Sequence, residues 1–371
     1  MAVAPLDAAR EPALQALLEQ VARARAQGTP LCVRGGGTKD FYGNAPAGAV
    51  LDTRPLAGIS SYEPTELVVT ARAGTPLAEL EALLATHGQC LAFEPPHFGN
   101  TATVGGMVAA GLSGPARANA GAVRDHVLGA TLLNGRGEVL SFGGQVIKNV
   151  AGYDVSRLLV GALGTLGVVL DVSLKVLPVP RATATLRFAM NQSTALETLH
   201  RWGALPLPLH ASAWWEGNLV LRLSGAEAAV ASAADRLGGD RVDAALAGPF
   251  WSGLREHTDE FFAIAGHAIE AHGATLWRLS LPQTAPALEL PGDTLVEWHG
   301  AQRWLVSSAP ADEIRAAVAA VGGHATLFRS TDKSAGAFMP LAAPLDRIHR
   351  QLKRAFDPDG LFNPSRLYPG L

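Results

Sequence analysis

Arg34-Gly35-Gly36-Gly37-Thr38-Lys39 is the stretch that decides the fold, because it joins the short apolar runs Leu31-Cys32-Val33 and Ala49-Val50-Leu51 through three adjacent glycines. The pattern predicts a strand, a glycine loop and a second strand. Such a loop turns sharply and presents successive backbone N–H groups, which suits a pyrophosphate. It matches neither the P-loop order nor G-x-G-x-x-G. From this loop alone, a plain glycine turn is an equally good interpretation.

A second stretch with few large side chains, TATVGGMVAAGLSG, occupies residues 101–114. Small residues there would let a flat ligand lie directly against the backbone. Close helix packing is the alternative, and it explains Ala109 and Ala110 better than it explains the paired Gly105 and Gly106. Together the two stretches predict a cleft in which two backbone segments converge on the diphosphate bridge of a dinucleotide.

Bulk composition narrows the class of protein. A chain of 371 residues that is 48% hydrophobic is longer than one core usually supports, so we expect two domains. A net charge of -3 provides no basic stripe for nucleic acid. Cys32 and Cys90 stand in no metal-ligand pattern, so we expect no metal or iron–sulfur site in this chain. Without a long apolar run or a secretory signal, the sequence predicts a cytoplasmic protein with no membrane span of its own.

The second half predicts a different architecture. After Pro178 and Pro180, the segments read as strand, helix, strand, strand and helix, an order that suggests a ferredoxin-like sandwich. A closing helix over 341–356 precedes a tail rich in turn residues. We therefore predict an α+β protein with a cofactor domain at 1–180, a smaller ferredoxin-like domain at 181–340, and a segment at 341–371 that returns to the first domain.

These pieces resemble the FAD-binding domain of the vanillyl-alcohol-oxidase-type flavoproteins, the PCMH fold, which consists of two α/β subdomains. The resemblance covers about residues 1–180 and rests on the loop at 34–39, on residues 102–106 and on residues 161–169. It implies FAD as the cofactor. The residues it implies for cofactor binding are Arg34, Gly35, Gly36, Gly37, Thr38, Lys39, Thr103, Gly105, Gly106, Ser113, Gly114, Gly164, Gly167, Val168, Asn363 and Arg366.

Within this family, the sequence at 95–99, 148–157, 356–358 and 362–368 is similar to that of a flavin subunit of bacterial glycolate-oxidising complexes. That similarity spans nearly the whole chain. It implies oxidation of glycolate, a small 2-hydroxy acid, to glyoxylate. It also implies two partners, a larger FAD-binding catalytic subunit and an iron–sulfur subunit, through which the chain could sit peripherally on the inner membrane.

Two departures from the family matter. Members that attach FAD covalently place a His after the first glycines and a Cys before the second stretch, where this chain has Thr38 and Gly99, so we expect non-covalent FAD. Catalytic D-2-hydroxy-acid relatives carry a metal-binding H-x-G-D-G-N-x-H stretch, and residues 322–326 are only a distant approximation. A scaffold subunit without active flavin, or a freestanding FAD-dependent dehydrogenase, therefore remain alternatives.

Candidate reactive residues are few. His97 lies in a Pro-flanked turn and could face the flavin or a substrate, although a surface turn histidine is nearly as good an interpretation. Arg366 stands where relatives place a basic residue near the flavin ring, where it would stabilise the reduced anion; a solvated tail arginine is the alternative. Lys148, Tyr153 and Asp154 precede a predicted helix, and Asp154 reads as its N-cap. One of Trp214 and Trp215 should face outward, towards a subunit interface. No proton-accepting base is identifiable.

Overall fold

The computed structural model describes residues 11–144 and 154–371. Its helices are α1 (Pro12–Gln27), α2 (Leu77–Thr86), α3 (Val104–Ala110), α4 (Arg117–Ala120), α5 (Val123–His126), α6 (Gln192–Gly203), α7 (Glu227–Leu237), α8 (Ala244–Glu256), α9 (Glu260–His272), α10 (Ala311–Ala320) and α11 (Ala343–Phe356). Its strands are β1 (Leu31–Arg34), β2 (Ala49–Asp52), β3 (Ile59–Glu63), β4 (Val68–Arg72), β5 (Gln89–Cys90), β6 (Val127–Leu133), β7 (Val139–Gly143), β8 (Val168–Lys175), β9 (Leu177–Pro178), β10 (Ala182–Ala189), β11 (Leu209–Trp215), β12 (Asn218–Gly225), β13 (Asp240–Val242), β14 (Thr275–Ser280), β15 (Asp293–Glu297), β16 (Gln302–Ser307) and β17 (His324–Arg329).

Three sheets form the first part of the chain, and the smallest is the two-stranded pair of β5 and β9. Strands β1 and β2 pair in parallel on either side of the first glycine loop, as the sequence predicts. A five-stranded sheet in the order β3-β4-β8-β6-β7 lies beside them. Helix α1 buries Leu14, Leu17, Val21 and Ala24 along one face, because apolar residues recur every three or four positions, and it ends at Gly28 in the left-handed region. This layered arrangement of helices and sheets positions both glycine-rich stretches.

The second part is one eight-stranded antiparallel sheet in the order β13-β10-β12-β11-β15-β16-β14-β17. Its first half runs β10-α6-β11-β12-α7-β13 along the chain, so the predicted ferredoxin-like unit is present. Strands β14 to β17, with α10, extend that sheet across its free edge. The sequence pattern also predicts the added helix at 310–321 and the strand at 324–329, but it assigns no element to α8, α9 and β14.

Helices cover both faces of this large sheet. Helices α6 and α7 pack on one face around Leu199, Leu221 and Val230, and α8 and α9 pack on the other. Trp215 consequently contacts the ring of Phe261 in α9, with 6.1 Å between ring centroids. Trp214 and Trp215 pack against clusters on opposite faces of the sheet, and both are half-buried, so the expected division into a core-facing and an outward-facing side chain is not seen.

The chain's last segment returns to the first sheet. The backbone N–H of Leu31 donates to the carbonyl of Leu361 at 2.7 Å, and that of Asn363 donates to Leu31 at 2.8 Å. The buried Lys353 ammonium fixes this return, because it donates at 2.7 Å to the Asp357 carboxylate and to the carbonyls of Thr165 and Phe362. The tail thus packs against β1 and the turn around Thr165.

Part of the motif at 148–157 lies outside the described residues, including Lys148 and Tyr153. Asp154 is described, and it precedes a short 3₁₀ turn at Ser156–Leu159. Its carboxylate accepts a hydrogen bond from the Ser156 hydroxyl at 3.0 Å and pairs with Arg157 at 2.8 Å. Within residues 11–144 and 154–371, no helix combines the length and the apolar character needed to cross a bilayer.

Candidate cofactor site

A cleft opens between the two glycine-rich stretches, β8 and the returning tail. Its empty volume, open mouth included, is about 760 Å³. All of its lining residues belong to the first domain or the tail; they are Val33, Arg34, Gly35, Gly36, Gly37, Thr38, Lys39, Asp40, Thr53, Ala73, Thr103, Gly105, Gly106, Ala109, Ala110, Leu163, Gly164, Gly167, Val169, Asn363 and Arg366.

The two loops touch through backbone, which only glycine permits. A Cβ added to Gly36 would stand 1.5 Å from the carbonyl oxygen of Thr101, and one added to Gly35 would stand 2.3 Å from the Thr103 hydroxyl oxygen. The Thr101 hydroxyl donates to the carbonyl of Gly36 at 2.9 Å and holds the contact. Side chains at these two positions would therefore force the loops apart and destroy the cleft's floor.

The first loop leaves hydrogen-bond donors unused. The backbone N–H groups of Gly36, Gly37 and Thr38 all belong to the cleft lining, and they donate to no residue within the described part of the chain. Successive free N–H groups in a turn form an anion-binding nest. The residues present therefore fit the diphosphate of a dinucleotide such as FAD.

Glycine occurs at positions 105 and 106 of the second stretch for two different reasons. A Cβ on Gly105 would lie 2.7 Å from the Cβ of Ala73, so helix α3 needs glycine there in order to pack against that segment. A Cβ on Gly106 would meet only the Thr103 hydroxyl, at 3.1 Å, and would otherwise project into the cleft. The packing interpretation thus suits Gly105, and the ligand interpretation suits Gly106.

The cleft carries more positive than negative charge. Arg34, Lys39 and Arg366 face a single carboxylate, Asp40, which pairs with Arg34 at 2.7 Å. Burial lowers the pKa of Lys39 to about 8 even though Glu256 opposes the shift, and its ammonium donates to the carbonyl of His97 at 3.1 Å. A bound dianionic diphosphate would offset this excess of positive charge.

Asn363 and Arg366 come into the cleft with the tail. The Asn363 side chain accepts from the backbone N–H of Val33 at 2.7 Å and donates to the carbonyl of Leu163 at 2.5 Å. Arg366 is 6% exposed, and its guanidinium donates to the backbone carbonyls of Asn44 and Asp40. Arg366 is therefore a fixed, buried cation and not a solvated tail residue.

Four predicted residues lie outside the cleft lining. Val168 points into the core, because neighbours on a strand face opposite sides, and Val169 lines the cleft in its place. Ser113 and Gly114 line a separate cavity against the second domain. His97 pairs with Glu81 of α2 at 2.9 Å and is absent from the lining. The other predicted cofactor residues come together.

The sequence interpretation missed several lining residues. Thr53, Ala73 and Leu163 carry no motif signal, since ordinary residues become lining only through the path of the chain. Asp40 could have been found, because a carboxylate just after a basic loop is a natural partner for Arg34. Val169 could have been found by working out, from the buried neighbours, which residues of β8 point to each face of the sheet.

Several known proteins are similar in sequence to this chain. A family model described as FAD binding domain matches residues 11–143. The chain is 48% identical to glycolate oxidase subunit GlcE of Escherichia coli over 96% of this chain and 98% of that protein. It is 36% identical to D-lactate dehydrogenase of Archaeoglobus fulgidus over 42% of this chain and 35% of that protein. It is 32% identical to glycolate oxidase subunit GlcD of Bacillus subtilis over 42% of this chain and 34% of that protein.

A solved structure supports the fold alone. Alkyldihydroxyacetonephosphate synthase superposes with a TM-score of 0.65 at 16% identity, covering 95% of this chain and 76% of that one. The resemblance drawn from the motifs, and the α+β fold that it implied, are confirmed. With nearly half of the residues identical over almost the full length of both chains, the protein belongs to the family of glycolate oxidase subunit GlcE and carries that family's FAD-binding domain.

Proposed function

We propose that this chain binds one FAD non-covalently and serves as a redox subunit of a complex that oxidises glycolate to glyoxylate. Bound FAD supplies the electron acceptor, because no amino-acid side chain accepts a hydride. The chain's own residues hold the diphosphate with backbone N–H groups and keep Lys39 and Arg366 beside it. The observation that carries the proposal is the direct contact of Gly35 and Gly36 with Thr101 and Thr103 across the floor of the cleft.

Non-covalent binding follows from the side chains near the two loops. Gly99 and Thr38 are neighbours, since a Cβ on Gly99 would lie 3.2 Å from the Thr38 methyl group. Neither residue offers the imidazole or thiol through which relatives attach their flavin. Denaturation should therefore release all of the FAD into solution.

Partners follow from what this chain lacks and from the names of its relatives. Its two cysteines cannot by themselves ligate an iron–sulfur cluster. The relatives named GlcE and GlcD are each called a subunit of glycolate oxidase. We propose a larger catalytic flavoprotein and an iron–sulfur protein as partners, in a cytoplasmic complex that sits peripherally on the inner membrane.

Co-expression of this chain with the two partner subunits tests the proposal. The complex should contain flavin in this chain and reduce a dye with glycolate, and omission of this chain should abolish that activity. A colourless chain in an active complex would favour the scaffold alternative. Bleaching of the isolated chain's flavin by glycolate would favour the freestanding dehydrogenase.

A further inference from the structure

A second cavity, the junction cavity, lies where the first domain meets the large sheet. It is lined by Ser113 and Gly114 from the turn after α3, and by polar side chains of the second domain. The principal polar members are His257, Arg278, Glu297 and Gln302. None of the cavity's lining residues also lines the cofactor cleft. Its empty volume is about 290 Å³, so it is much the smaller of the two spaces.

Strand register brings these polar groups to one face of the sheet. Glu297 of β15 pairs directly with Gln302 of β16, and Trp304 of β16 pairs with Arg278 of β14. Since side chains alternate along a strand, Gln302 and Trp304 share the face that turns towards the first domain. Sheet geometry, which is rigid, thus fixes the polar cluster.

Three buried polar atoms in the cavity have no hydrogen-bond partner among the described residues. They are Arg278 Nε, Gln302 Oε1 and His257 Nδ1. Gln302 is only 2% exposed, and leaving such a group unpaired costs free energy. Arg278 also has no carboxylate within ion-pairing distance in the parts of the chain described. Among the described residues, one guanidinium donor, Arg278 Nε, and one amide acceptor, Gln302 Oε1, are therefore both unpaired at residues that line the same cavity.

Glu297 does not form hydrogen bonds with these unpaired atoms. Its Oε2 atom accepts from Trp304 Nε1 at 2.6 Å and from Gln302 Nε2 at 3.2 Å, so both bonds use the same oxygen. Burial raises the pKa of this carboxyl to about 7, although both hydrogen bonds oppose the shift. The group is therefore partly protonated near neutral pH and repels an anion less than an exposed glutamate would.

We propose that the junction cavity binds a small 2-hydroxy acid, with Arg278 holding the carboxylate and Gln302 Oε1 accepting the hydrogen of the hydroxyl group. An unpaired cationic donor calls for an anionic acceptor, and an unpaired acceptor calls for a donor; a hydroxy acid supplies both in a few atoms. The inference rests on the proposed function and names the residues that would recognise its substrate.

An entry route and a short path to the cofactor cleft support this assignment. Arg255 lines both the junction cavity and an open surface cleft that also carries Arg222, Arg241 and Glu94, so the two spaces adjoin at this residue. On the inner side, Phe98 lines the cavity, and its ring lies 5.5 Å from the Lys39 ammonium, which lines the cofactor cleft. Lys39 and Phe98 are therefore a contacting pair with one member in each lining.

Equilibrium binding to the FAD-loaded full chain tests the inference, with glycolate and acetate as probes in calorimetry and flavin difference spectra. Glycolate should bind at least about tenfold more tightly than acetate, because acetate lacks the hydroxyl donor. Arg278→Gln should weaken both ligands at least about tenfold, and Arg278→Lys should weaken them less. Gln302→Met should abolish only the preference for glycolate, a result that a merely structural role would not produce.

The matched control is Arg187→Gln, an exposed arginine on β10 of the same sheet that pairs with Asp240. It should bind both probes as the unmodified chain does. Equal affinity for glycolate and acetate in the unmodified chain, or unchanged affinity in Arg278→Gln with FAD still bound, would overturn the inference even if the complex remains active. If the complex lacked flavin or glycolate activity, the proposed function itself would fail.

Discussion

The cofactor cleft and the junction cavity are both lined by residues of the segment that follows Thr103, yet one is formed mainly by backbone and the other mainly by side chains. The cleft is a backbone surface, in which glycines bring two loops into contact and leave N–H groups free. The junction is a side-chain surface, in which Phe328 and Trp304 pack with ring centroids 4.8 Å apart around a polar cluster. Adding a side chain at a glycine should therefore disrupt the cofactor cleft, whereas truncating a side chain should disrupt the junction cavity.

Phe328→Ala should produce the largest loss of stability. The ring is 1% exposed and contacts Phe41, Tyr42 and Trp304, so its removal leaves a cavity at the domain junction. We expect the free energy of unfolding to fall by about 3–5 kcal/mol, measured by urea denaturation. FAD affinity at low temperature should change by less than about threefold, because the cleft has no lining residue from the second domain.

The control for this variant is Leu246→Ala on α8. Leu246 is 68% exposed, so its loss should change stability by no more than about 0.5 kcal/mol. If Phe328→Ala instead abolished FAD binding in folded protein, the two regions would be one site and the comparison would fail.

Gly36→Ala should have the next largest effect. It adds atoms instead of removing them, and it should weaken FAD binding as well as stability. The added methyl group would stand 1.5 Å from the Thr101 carbonyl oxygen. We expect a loss of about 1–3 kcal/mol in unfolding free energy and at least about a tenfold loss in FAD affinity, both measured on the same preparation. Gly203→Ala, where a Cβ meets open space at the end of α6, is the control and should bind FAD normally.

The buried ammonium of Lys39 should make FAD affinity depend on pH. Its pKa is lowered to about 8 by burial, so the cleft loses one positive charge as pH rises through that value. A bound diphosphate favours the charged form, so binding takes up a proton above pH 8 and the affinity falls by at most about tenfold per pH unit. Titration of FAD between pH 6.5 and 9.5 checks this, and in Lys39→Arg the fall should disappear.

The last prediction separates the effects of two adjacent residues of β8. Val168 is fully buried against Leu133, whereas Val169 lines the cleft. Val168→Ala should cost about 1–3 kcal/mol of unfolding free energy and leave FAD affinity intact. Val169→Ala should cost less stability and alter FAD affinity instead; the reverse result would mean that the parity of this strand is misassigned.

Local pattern predicted much of the fold. The strand, glycine loop and strand over 31–51, the closing helix over 341–356 and the ferredoxin-like order after residue 180 each follow from short-range periodicity and turn residues. The polar cluster at the junction could not be predicted in this way. Arg278, Glu297 and Gln302 lie on three strands whose pairing is set by distant segments, and no local signal marks residues that meet only through sheet register.

The cofactor site shows the same division. Glycines at 35, 36 and 106 were identifiable because their residue type is unusual and its physical reason is local. Ser113 and Gly114 were assigned to the cofactor by resemblance, and the structure places them on the junction cavity. Thr53 and Ala73 line the cleft only because the chain folds past it, which no residue type announces.

Titration of FAD into deflavinated Gly106→Val protein, beside Gly266→Val and the unmodified chain, tests the central claim most directly. Both glycines are helical, but a side chain at 106 projects into the cleft and one at 266 meets open space. The account predicts that Gly106→Val binds FAD about a hundredfold more weakly while Gly266→Val binds it normally, with both variants folded. Equal FAD affinity in the two variants would contradict it.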